Sequence, residues 1–74
     1  MADRTSAALF GKIFTLLSNN PTDENKEIAK EIYYGMASDY DFSTYQMYAD
    51  EALIILGLAH RSLDPEYPNE VIYD

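Results

Sequence analysis

STYQMYADEALIILGLAHRSL, residues 43–63, is the stretch on which the fold turns. Its opening, Ser43-Thr44-Tyr45-Gln46, has the S-x-x-Q form of a capping box, in which serine and glutamine side chains satisfy each other's free backbone amides. Phe42 before it and Met47 after it are spaced as a hydrophobic staple. Downstream, Tyr45, Tyr48, Ala49, Ala52, Ile55, Leu56, Ala59 and Leu63 recur at helical spacing and form one apolar stripe. Met47, Ile54 and Leu58 form a second stripe on another face. This reading predicts one long helix over 44–63. A helix that is apolar on two faces is either central in a bundle or shared with a partner. It is the main sequence argument for a dimer.

Just upstream the chain is crowded with acids and tyrosines. Residues 38–51, SDYDFSTYQMYADE, hold Asp39, Asp41, Asp50 and Glu51 with Tyr40, Tyr45 and Tyr48. Counted from Asp39, Asp41 and Asp50 fall at the third and twelfth places of a calcium loop, with Ser43 at the fifth. Such a loop needs glycine at its sixth place and a bidentate glutamate at its twelfth. Here those places hold Thr44 and Asp50. A helix starting near Ser43 would also carry Asp50 away from Asp39, so cap and loop compete for one backbone. The cap wins, and no metal or other cofactor is expected.

Working outward, residues 5–18 read as a first helix, with Leu9, Ile13, Leu16 and Leu17 on one stripe that Phe10 and Phe14 widen. Asp3, Thr5 or Ser6 would cap it. Ser18-Asn19-Asn20-Pro21 breaks the chain. A second helix follows over 22–38, capped by Asn20 or Thr22, with Asp23 and Glu24 where the helix dipole favours acids. Its apolar set is Ile28, Ile32 and Met36, opposite a solvated face of Lys26, Glu27, Lys30 and Glu31. Asp64-Pro65 ends the third helix, and Val71-Ile72-Tyr73 is a short β-prone end. The expected fold is all-α: a three-helix bundle over 1–63, with 64–74 as an extended acidic tail.

Composition sets the function classes. The chain has 74 residues, 47% of them apolar, and no cysteine. A core this small is often completed by a second copy. The lack of cysteine excludes disulfides and thiolate chemistry, and with no signal peptide visible it places the protein in the cytoplasm. The longest apolar run, ALIILGLA at 52–59, is far short of the ~20 residues that span a bilayer. Net charge is −8. Residues 1–37 hold five acids against four bases, or −1, whereas residues 38–74 hold eight acids against Arg61 alone, or −7. That field repels phosphate backbones and anionic lipid, so no direct nucleic-acid or membrane binding is expected. It would attract a basic protein surface.

Catalytic groupings are absent from the pattern. His60 is the one histidine, expected in the last turn of the third helix, where a cation is favoured. Asp50 and Glu51 are adjacent and would point about 100° apart on a helix. Tyr33, Tyr45 and Tyr48 read as core, while Tyr34 and Tyr40 read as contact surface, since tyrosine is enriched at interfaces. The expected partner-binding set is therefore Tyr34, Asp39, Tyr40, Asp41, Met47, Asp50, Glu51, Ile54 and Leu58. The sequence predicts a small non-enzymatic interaction or regulatory protein, homodimeric through the third helix. The alternative is an acidic inhibitor of phage or mobile-element type, whose carboxylates imitate nucleic acid on a basic protein.

Overall fold

The computed structural model describes residues 4–74. The first two helices form close to where the pattern puts them. Helix α1 spans Arg4–Ser18 and helix α2 spans Asp23–Met36. Thr22 caps α2: its hydroxyl accepts from the Asn25 amide at 3.1 Å, with Asp23 and Glu24 in the first turn. Asn25 Nδ2 also donates to the Asn20 carbonyl at 2.7 Å and so fixes the corner between the helices. For α1, Thr5 and Ser6 lie inside the helix and not ahead of it, and Asp3 lies outside the described residues.

The third helix is where the expectation fails. Residues 43–63 do not form one rod. They fall into α3 (Phe42–Met47), α4 (Asp50–Ile55) and a strand, β1 (Ala59–Arg61). The first break is at Tyr48–Ala49, whose amides bond back three residues to Tyr45 and Gln46. Its cause is long-range. Helix α1 passes so close here that a Cβ on Gly11 would sit 2.4 Å from the Tyr48 carbonyl oxygen. The second break is local. Gly57 adopts φ 80, its amide bonds to the Ile54 carbonyl, and the Leu58 amide bonds to Leu53 at 2.8 Å. This is a Schellman stop, sealed by Leu53 and Leu58, both buried.

The capping box does not form either. Helix α3 begins two residues earlier than expected, and the Asp41 carbonyl accepts from the Thr44 and Tyr45 amides at 3.0 and 3.3 Å. Gln46 instead donates to the Tyr33 hydroxyl at 2.8 Å. Phe42 turns inward and meets Tyr33 edge-on at 5.0 Å, leaving Met47 exposed.

Val71–Tyr73 forms β2, antiparallel to β1, with Ala59 opposite Tyr73 and Arg61 opposite Val71. The Asp74 amide adds a bond to the Leu58 carbonyl at 3.0 Å. The loop between the strands is tied internally: Ser62 Oγ accepts from Asp64, Asp64 Oδ1 accepts from Glu66, and the Ser62 amide donates to Glu70. The fold is thus mostly helical with a small two-stranded sheet, and not a plain three-helix bundle.

Helix α1 is the element against which α2, α3 and α4 all pack. Its buried side is Ala7, Phe10, Gly11, Phe14 and Ser18. Phe10 and Phe14 cluster with Ala29 and Tyr33 from α2 and with Ala49, Ala52, Leu53, Leu56, Leu58 and Ala59 from the second half. Phe10 and Phe14 lie 4.4 Å apart, and Tyr45 stacks on Phe10 at 5.5 Å. The molecule measures 33 × 32 × 18 Å. Its surface of 5084 Å² exceeds the roughly 4600 Å² expected of a folded monomer of 8.4 kDa. It is thin, and much of it is surface.

Candidate functional site

The apolar stripe on α1 divides in a way its spacing did not disclose. The phenylalanines go inward, whereas Leu9, Ile13 and Leu16 are 56%, 38% and 61% exposed. Across from them on α2, Ile28 is 39% exposed, and Ile32 and Met36 are half-buried. Between the two helices runs an open groove of about 210 Å³, lined by Ser6, Leu9, Phe10, Ile13, Phe14, Ile32 and Met36. Ser6 supplies the one polar side chain in that lining. Leu16 continues the α1 wall one turn beyond Leu9 and Ile13, and Ile28 continues the α2 wall one turn before Ile32. Monomers rarely leave contiguous apolar patches of this kind uncovered unless something binds there.

The expected partner-binding residues are scattered. Leu58 lies in the core at 2% exposure, because Gly57 turns it back under α4. Ile54 packs against that core. Of the two stripes of residues 43–63, the interior takes Ala49, Ala52, Leu56, Leu58 and Ala59, whereas Met47, Tyr48, Ile55 and Leu63 are exposed. Met47 and Tyr40 are strongly exposed, at 69% and 93%, and Tyr34 stands out beside Tyr33 at 5.3 Å. Of the tyrosines expected in the core, Tyr33 is buried and Tyr45 packs against the core on Phe10, but Tyr48 is exposed. Asp39 accepts from the Asp41 amide at 2.9 Å and shapes the connector between α2 and α3.

Asp50 and Glu51 hold the second half closed. The Tyr73 hydroxyl donates to Asp50 Oδ1 at 2.5 Å, joining β2 to the start of α4. Burial raises the Tyr73 pKa, and the bond to Asp50 raises it further, so the hydroxyl keeps its proton. Tyr33 is also raised, first by burial, with the Gln46 hydrogen bond acting the other way. Glu51 pairs with Arg61 on β1, and Arg61 also donates to the Asn69 carbonyl at 3.1 Å. His60 lies on β1, not in a helix end, and its Nδ1 is 3.1 Å from Asp74. Of the eight acids in residues 38–74, Asp39, Asp50, Glu51, Asp64 and Asp74 therefore already serve partners within the chain.

What this arrangement presents to solvent is apolar surface beside an open groove. Among the described residues, no three acids or histidines gather as a metal site. No helix of the described residues is long and apolar enough to cross a membrane. The groove was missed at the sequence level because Leu9, Ile13 and Leu16 read as core. The available signal was the small-residue series Ala7, Gly11 and Ser18, which marks the side where other backbone comes close. No family model matches the chain, and no curated protein or solved structure matches it either.

Proposed function

We propose that this chain is a small acidic interaction protein that works by holding another protein on the apolar face of α1 and α2, without chemistry of its own. The observation that carries this reading is the exposed row of Leu9, Ile13 and Leu16 beside an open apolar groove. Burying these three side chains in a contact is worth several kcal/mol at about 25 cal/mol per Å² of apolar area. An amphipathic segment laid along the groove would take its anchors from i, i+3 and i+4 positions. Site-specific photo-crosslinking in the native host tests the reading, with the crosslinker placed at Leu16 and a control at Ile72. A product at Leu16 that Ile13→Glu abolishes is the expected result. No product above the control sinks the reading.

The nucleic-acid-mimic alternative rests on the charge of −7 in residues 38–74. It calls for an affinity that collapses between low and moderate salt. Contact through the groove calls for an affinity that holds. The local engagement of five of those acids favours the groove.

A further inference from the structure

We propose that the occupant of this face is a second copy of the chain, docked so that the α1 ridge of each protomer fills the α1–α2 groove of the other. The inference rests on the reading of that face as a contact surface, and it adds the partner. Its first support is shape. Leu9 and Ile13 are at once a wall of the groove and part of the exposed ridge, with Leu16 one turn further along. A ridge and a groove side by side on one patch are what a two-fold interface uses, because each copy presents both. Leu16 has no place in its own groove and would enter the partner's.

The second support is charge. Lys12 stands three residues from Leu9 and four from Leu16, on the ridge side. Glu24 and Glu31 stand four before and three after Ile28, on the α2 side. All three are exposed, and none is ion-paired among the described residues. Opposite signs therefore flank one apolar strip. Docking ridge into groove brings Lys12 of each copy toward the glutamates of the other. A chain of net charge −8 would ordinarily repel its own copy. Here the face belongs to residues 1–37, which carry only −1, so the acidic halves stay outside the contact. A basic partner would instead find its countercharge on residues 38–74, none of which lines the groove.

Sedimentation equilibrium of the full chain, from micromolar to millimolar, is the test. The wild type should show a species of twice 8.4 kDa. Leu16→Glu, at a side chain 61% exposed, should keep the wild-type circular dichroism and raise the dissociation constant on the order of 100-fold. Lys12→Glu and Glu31→Lys should each weaken the dimer about three- to tenfold, and the two together should recover most of that loss. A wild type that stays monomeric at millimolar concentration overturns the proposal. So does a dimer indifferent to Leu16→Glu, because its interface would lie elsewhere. The broader reading fails separately: a monomer that still crosslinks a different protein at Leu16 loses the second copy but keeps the contact face.

Discussion

The two halves of this protein arrange their apolar residues differently. Residues 42–61 are short elements whose leucines go inward: Leu53, Leu56 and Leu58 are all buried, while Met47, Tyr48 and Ile55 stay exposed, and Asp50 and Glu51 bond to Tyr73 and Arg61. Helices α1 and α2 are longer and more regular, yet they leave Leu9, Ile13, Leu16 and Ile28 in water. Both halves leave large apolar side chains exposed, but those of α1 and α2 border an open apolar groove. Regular secondary structure is therefore a poor guide to which surface is finished. A straight helix with a wide apolar stripe has more than one side to offer, and the core takes only one.

Substitutions can break this contrast. Phe14→Ala removes a fully buried ring from the centre and should cost about 3–5 kcal/mol, read as a lower urea midpoint. Gly11→Ala comes next. Its methyl meets backbone, not a flexible side chain, so roughly 3 kcal/mol is expected, with the second half loosening from α1. Gly57→Ala has open space around it but must hold φ 80, a strain of about 1–2 kcal/mol visible as a lower Tm. Tyr73→Phe removes the hydroxyl bonded to Asp50 and should cost about 1 kcal/mol near neutral pH.

The same hydroxyl gives a pH signature. Because folding raises the Tyr73 pKa above its ordinary 10.0, the folded state holds the proton more tightly than the unfolded one. Its contribution is complete below about pH 10 and is lost as the pH climbs further. Tyr73→Phe should flatten that alkaline decline in part, Tyr33 supplying a second raised group. The smallest stability effect belongs to the outer face. Leu16→Glu should change the unfolding free energy of the monomer by less than about 0.5 kcal/mol while weakening association on the order of 100-fold. If it unfolds the chain instead, the contrast between the halves is wrong.

Much of α1 and α2 was legible because their signals are local: Thr22 with its acids, Asn19-Asn20-Pro21, and period-3.6 spacing. Residues 43–63 misled for a physical reason. Helical spacing persists across a break when the pieces on either side bury the same core, so Tyr45, Ala49, Ala52 and Leu56 keep phase through the Tyr48–Ala49 corner. The corner itself depends on Gly11, over thirty positions away in the chain, and no window around Tyr48 contains that fact. Gly57 was a readable stop, with leucines on both sides able to seal it. The β-prone end was visible at Val71–Tyr73, but its pairing partner was hidden inside an assumed helix. For the candidate site, Met47 and Tyr40 are exposed as read, whereas the groove needed the orientation of α1.

The central place of α1 bears on how the molecule folds. The strand pair joins residues only ten to fourteen apart, and its loop carries its own turn bonds, so its closure is a local and fast event. Seating Gly11 under Tyr48 joins residues far apart in the chain, and that search sets the pace. The transition state should therefore contain α1 already docked on the corner. Phe14 and Leu53 would then slow folding when truncated, while Ile72 and Val71 would mainly hasten unfolding.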